Sequence, residues 1–244
     1  MPSRRNTELH VHSGQAMVET VVILFVTLLL LLGIIQFGLI YHAKIALDYA
    51  AFEAARAGAV NHADHRAIEF ALARGLAPLY TSVSESDSTQ DQVLSVKAAR
   101  DRVMDDIRNG RACIERLNPG QTAFNAYGVS GEAGDYQGLM IPNGNLGFRD
   151  ATPANGAGVS IQDANLLKLR VTYCYPLYVP LISTVLKRLQ GVEQDPDPVP
   201  GWVPPRLGDF HAGCYRNDGI PLVAQAMVRM QSAAINDEFP ASCD

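Results

Sequence analysis

The sequence predicts an α+β protein in which a long N-terminal transmembrane helix runs on into a globular head of further helices and a small antiparallel sheet. Three observations lead there. From Val21 to Tyr41 the chain reads VVILFVTLLLLLGIIQFGLIY, uncharged, with Thr27 and Gln36 as its only clearly polar interruptions. About 20 apolar residues rising about 1.5 Å each cross a bilayer core, so this run spans as one helix. Ala43 to Ala59, AKIALDYAAFEAARAGA, continues in alanine and other good helix formers without proline, so the helix leaves the membrane unbroken. Leu167 to Tyr175, LKLRVTYCY, alternates apolar and polar residues and is rich in β-branched and aromatic side chains, the clearest strand in the chain.

The bulk composition excludes some functions. Of 244 residues, 25 are acidic and 20 are Lys or Arg, a net charge of -5, and no basic run extends beyond Arg4-Arg5. A nucleic-acid partner would demand a basic footprint that this chain lacks. Beyond the span roughly 200 residues remain, enough for one domain with a core, and 20 Gly and 14 Pro make it rich in turns. Arg4 and Arg5 precede the span, so the positive-inside bias keeps the N-terminus cytoplasmic and sends the chain beyond about residue 42 outside. Cys113, Cys174, Cys214 and Cys243 all lie on that oxidising side, an even number consistent with two disulfides. An ordinary signal peptide has an apolar region of about 7 to 15 residues and an A-x-A-like site. This run is longer, and an uncleaved signal anchor fits its length better.

Taken in order, one helix from about Gln15 to Val60 would be about 70 Å long. Ile45, Tyr49 and Phe52 follow an i, i+4, i+7 pattern that makes a stripe for docking the head. Asn61 and His62 interrupt the periodicity, and Asp64 to Tyr80 resumes it with Ile68, Phe70, Ala71, Leu72 and Leu76 until Pro78. Ser82 to Asp91, SVSESDSTQD, reads as a polar loop; Gln92 to Ile107 reads as a helix ending at Asn109-Gly110. Ala112 to Leu117 is a short extended piece stopped by Asn118-Pro119-Gly120. Gln121 to Asn165 shows little periodicity among many Gly and Asn, so long exposed loops are expected there. Pro176 ends the clear strand, Leu181 to Leu189 is a short amphipathic helix, and Gln194 to Gly201 is loop material. Pro221 to Ile235 fits a strand through Leu222, Ala224, Ala226, Val228 and Met230, and fits a helix through Leu222, Val223, Ala226, Met227 and Met230.

The functional reading begins just before the span. Residues Ser13 to Thr20, SGQAMVET, place a glutamate two residues past the first apolar pair, where an acid needs water or a partner. A Glu that merely snorkels to the interface is the plain structural alternative. If the chain is cut after Gly14, Gln15 becomes the new N-terminus and Glu19 the fifth mature residue. The ammonium and the carboxylate are then related as i and i+4. Each could also pair with the opposite charge of a neighbouring subunit and so set the axial register between subunits.

Gly14 followed by Gln15-Ala16-Met17-Val18-Glu19, the long Leu/Ile run, Phe37-Gly38 and Ala54-Ala55-Arg56-Ala57-Gly58-Ala59 resemble the TadE-like family of pseudopilins and minor pilins in tight-adherence (Tad or Flp, type IVb) pilus systems. The resemblance implies a pilin-like fold and no enzymatic activity. It implies a cytoplasmic leader over 1–14, a long helix over 15–61 with its transmembrane part at 21–41, and an extracytoplasmic head over 62–244. It further implies a bacterial inner-membrane protein cleaved after Gly14 by a prepilin peptidase, Glu19 acting in assembly, and membrane lipid, other pilins and the assembly platform as partners, with adhesion as a possible outcome. Thr20 stands where family members often carry an aromatic. By the same resemblance the ambiguous Pro221–Ile235 stretch is a closing strand. An uncleaved single-span protein whose head binds another envelope component is the rival expectation.

Of the three disulfide connectivities, the expected one joins Cys113 with Cys174, both on predicted strands, and Cys214 with Cys243, which flank the last apolar element. Other chemistry finds little support. His211 and Cys214 are spaced as H-x-x-C, but no C-x-x-C accompanies them. His10 and His12 lie in the leader, and His62 and His65 read as solvated. Asp195, Asp197 and Asp209 lack the spacing of a calcium loop, and no Gly-rich phosphate cradle follows a strand. No cofactor, metal or catalytic residue is expected.

Overall fold

The structure, a computed structural model, describes residues 13–82, 88–154, 156–179, 184, 208–239 and 243. The expected helix at Leu181–Leu189, residue 184 apart, the loop at Gln194–Gly201 and most of the expected leader lie outside them. The described chain is an α+β protein: a long apolar N-terminal helix, further helices and two small antiparallel sheets.

Helix α1, Ser13–Val60, runs unbroken for 48 residues. Its outer half belongs to the core of the head. Ala43, Leu47, Ala50, Ala51, Ala54, Ala55 and Ala59 are all buried. The expected docking stripe faces the other way: Ile45, Tyr49 and Phe52 are 53%, 58% and 47% exposed. Close approach explains the reversal, because the inner face admits only small side chains. A Cβ on Gly75 of helix α2, His65–Leu76, would sit 2.7 Å from the Ala50 Cα, and one on Gly58 would sit 2.8 Å from Leu167.

Asp64 starts α2 by accepting the Ala67 N–H in its side chain, and a 3-10 turn, Ala77–Leu79, carries the Pro that ends the α-helix. Helix α3, Thr89–Arg108, begins three positions before its expected start. Ser88 and Asp91 form a capping box there, satisfying two otherwise unpaired N–H groups.

Sheet order is β1-β4-β5, all antiparallel, with β1 at Ala112–Asn118, β4 at Leu166–Pro176 and β5 at Gly219–Arg229. Leu167, Leu169, Val171 and Tyr173 of β4 are buried in the core that contains the α1 alanines. In β5 Leu222, Ala224 and Ala226 are buried while Val223, Gln225 and Met227 are exposed, a period of two that fits only the strand reading. Leu167 touches α1 near Gly58, whereas the chain just beyond β4 reaches Gln36, so β4 descends along α1.

The expected long loops at Gln121–Asn165 are largely ordered instead. Helix α4, Gln121–Tyr127, leads to a hairpin of β2, Val129–Ala133, and β3, Tyr136–Ile141, which pairs with β6, Ala234–Ile235. The two-residue turn Gly134-Asp135, with Gly134 at φ +58°, is a recognised hairpin signal. The strands it joins carry too little apolar alternation to announce themselves. After a 3-10 turn at Leu146–Phe148, the four-residue helix α5, Ile161–Ala164, feeds β4. Helix α6, Asp209–Arg216, feeds β5.

Candidate functional site

Gly14 and Gln15 lie in the first turn of α1, and Glu19 lies one turn later with its side chain exposed. An unbroken helix puts residues 15 and 19 on one face, as the i, i+4 spacing requires. From Val21 to Ile35 the large apolar side chains of α1 are exposed, Leu24 at 67% and Ile34 at 68% among them, apart from the partly exposed Leu29 and Leu32. So much apolar surface calls for lipid or a protein partner. Among the described residues α1 is the one helix long and apolar enough to cross a membrane.

Gln36 breaks this exposure. It is 1% exposed, and its Oε1 accepts the Val179 N–H at 2.9 Å. In the sequence it reads only as a polar interruption of the span; a buried partner reaching it from residue 179 leaves no local signal.

Comparison with known families bears directly on this helix. A family model described as TadE-like protein matches residues 14–56. Over those residues the N-terminal helix is similar to TadE-like proteins. The matched segment takes in the apolar run and most of the buried alanine face. No curated protein and no solved structure matches the chain.

Beyond the TadE-like segment, the cysteines pair differently from expectation. Cys113 bonds to Cys243, with Cα atoms 5.8 Å apart, and Cys174 bonds to Cys214, with Cα atoms 5.5 Å apart. Strand register excludes the expected Cys113–Cys174 bond. Cys113 lies opposite Thr172, so Cys174 is a diagonal neighbour at about 7–8 Å, too far for a bridge. Cys214 and Cys243 are separated by β5, whose 11 residues span about 36 Å in extended form. Cys174, at the end of β4, instead meets α6 where that helix turns into β5. Both sulfurs crowd Gly219, where a Cβ would come within 2.3 Å of the Cys174 Sγ.

The first disulfide adjoins a buried charge. Glu115 is 3% exposed, pairs through Oε2 with Arg170 Nη1 at 3.2 Å, and accepts the Cys243 N–H at Oε1 at 2.8 Å. These contacts hold the C-terminal cysteine against β1. On the opposite face of the sheet, Tyr173 donates from its hydroxyl to Asp106 Oδ2 at 2.8 Å and shares a hydrogen bond with the Tyr80 hydroxyl. Burial pushes the Tyr80 phenol up to about 12, and burial, with Tyr80 and Asp106 adding to it, pushes the Tyr173 phenol higher still.

Among the described residues metal ligation finds no constellation. Cys214 is consumed in a disulfide, so the H-x-x-C pair with His211 offers no thiolate. His62 places Nδ1 2.9 Å from the Ala233 carbonyl oxygen, while His65 places Nε2 3.1 Å from Glu69. Asp209 lies in the first turn of α6, and Asp195 and Asp197 lie outside the described residues. Among the described residues no group of three or more His, Cys, Asp or Glu is placed to hold a metal ion.

Proposed function

We propose that this chain is a pseudopilin or minor pilin of a Tad-type pilus, held in the inner membrane by α1 with its head outside, cleaved after Gly14 by a prepilin peptidase, and assembled through α1. The observation that carries this reading is one uninterrupted helix whose inner half is bare apolar surface and whose outer half is the core of the head. The family match supports it, because it begins at Gly14 and runs 14–56 along that helix. Such a subunit moves as a rigid unit from lipid to a bundle of like helices, exchanging one apolar surrounding for another.

In this reading residues 1–14 are the leader, 15–61 the assembly helix and 62–244 the head. Cleavage creates an ammonium at Gln15, and Glu19 supplies the carboxylate that pairs with that group on a neighbouring subunit. In a low-dielectric bundle the pair fixes axial register, since a misplaced subunit buries both charges unpaired. The assembly platform and other pilins are the partners; lipid is the environment before assembly.

The test is Glu19→Ala in the native cell. The variant is expected to be processed and to accumulate in the inner membrane, while its cross-linking to other pilus subunits falls at least about tenfold, the loss of an interaction worth about 1.4 kcal/mol or more. Normal cross-linking by the processed variant would contradict the pairing role.

A further inference from the structure

The head of this protein touches α1 inside the apolar run, at Gln36. β4 passes Gly58 at Leu167 and descends beside the helix until the Val179 N–H meets the Gln36 Oε1 at 2.9 Å. Along the axis, Gln36 lies about 33 Å below Gly58 and about 7.5 Å closer to the middle of the apolar run than Tyr41 does. The burial of α1 also continues past the head: Leu29, Leu32, Gly33, Leu39 and Ile40 are only partly exposed, at the spacing that leads into buried Ala43 and Leu47.

Dimensions fix where this contact falls. From Glu19 to Gln36 the helix is about 25 Å long, short of the about 30 Å hydrocarbon core. With Glu19 held at the inner boundary, Gln36 sits at or just inside the outer boundary, and the backbone bonded to it sits at the same depth. Sliding α1 inward carries Gln36 and the backbone bonded to it deeper into the hydrocarbon. Sliding it outward drags the carboxylate into hydrocarbon. The Gln36–Val179 bond suits that depth, since it pairs the amide oxygen of Gln36 with a backbone N–H that lipid leaves unpaired, while the buried Gln36 Nε2 has no partner.

The residues beside the bond fit a headgroup layer. Tyr178 is 53% exposed and edge-on to Tyr175 at 5.8 Å; Tyr41 and Phe37 of α1 are 69% and 73% exposed. Aromatic side chains collect at this boundary of a bilayer. The sequence is uncharged from Val171 to Leu186, and the charges that follow are Lys187 and Arg188.

We propose that Leu177 and Tyr178, next to the buried Val179, form a second membrane contact of the head, seated in the outer headgroup layer at the level of Gln36, with the lipid bilayer itself as the partner. The proposal rests on the reading that α1 spans the membrane. The head is thereby held at two points and cannot swing about α1, and withdrawing the subunit from the bilayer requires Tyr178 to leave lipid together with the helix.

Depth-dependent quenching tests it. The full chain carries Trp202→Phe to clear the background and is reconstituted in phosphatidylcholine vesicles containing brominated acyl chains. A single tryptophan is placed at one of three positions. Tyr178→Trp reports the proposed contact, and Leu31→Trp reports the span. Phe148→Trp replaces a 95% exposed residue next to α5, which feeds the far end of β4. Shallow bromines are expected to quench Tyr178→Trp several-fold more than Phe148→Trp, and deep bromines to quench Leu31→Trp. Equal, weak quenching at 178 and 148 with strong quenching at 31 overturns the second contact and leaves the span intact. Absence of quenching at 31 overturns both.

Discussion

Tyr80 and Tyr173 show how single residues tie the head together. Tyr173 is 1% exposed in the middle of β4, and its hydroxyl links the Tyr80 hydroxyl to the Asp106 carboxylate of α3. Burial first keeps both phenols protonated above their ordinary value near 10; Tyr80 and then Asp106 add to it at Tyr173, and the bond from Tyr173 partly offsets it at Tyr80. The folded state therefore holds protons that the unfolded chain gives up above about pH 10, so stability is full below that pH and is lost as pH rises toward about 12. In urea titrations of the detergent-solubilised protein, the wild-type midpoint is expected to fall between about pH 8 and pH 11 by more than that of Tyr80→Phe, which has one fewer proton to lose. Equal losses in the two proteins would contradict the linkage. At this scale the sequence is a partial guide. Gly14, Gln15 and Glu19 stand out because their chemistry is local and their spacing is fixed by a helix. Gln36 and Glu115 do not stand out, because each takes its meaning from residues 179 and 243, brought close only by the fold.

At the scale of elements, α1 was legible in extent and misleading in orientation. Its length follows from composition, and 48 helical residues fit the expected span-plus-extension. Its Ile45-Tyr49-Phe52 stripe has the spacing of a docking face, yet the docked face is the alanine one, since α2 and β4 approach too closely for bulk. Gly75 is where that closeness is tightest. Gly75→Ala raises helix propensity by about 1 kcal/mol, but its Cβ meets the Ala50 backbone at 2.7 Å, and overpacking costs about 1–3 kcal/mol. Backbone cannot step aside as a side chain does, so the clash is expected to win. Thermal unfolding followed by circular dichroism should show a Tm several degrees lower; a Tm equal to or above the wild type would mean the α1–α2 crossing is looser than described. The last strand shows the opposite case. Leu222 to Met230 fits two periods equally well as sequence, and only the alternate burial along β5 decides between them. The β2–β3 hairpin escaped for a third reason: its Gly134-Asp135 turn is informative, but its strands are too polar to be recognised as strands.

For the whole molecule, the disulfides and the long apolar helix divide the stabilising work. Cys113–Cys243 closes a loop of 130 residues and Cys174–Cys214 one of 40, so chain entropy alone assigns them about 5 and about 4 kcal/mol. Such constraints suit the exterior setting proposed for the head. Their number followed from counting cysteines; their pairing did not, because it depends on strand register and on the separation of the two ends of β5. The fold class was legible for the reason that the pairing was not: length, hydropathy and period are properties of contiguous sequence. Removal of the leader, so that Gln15 begins the mature helix, can be read from the intact mass of the protein purified from cells with an active prepilin peptidase. A chain that starts at Gln15 is expected, while a chain retaining Met1 to Gly14 in those cells would contradict processing after Gly14.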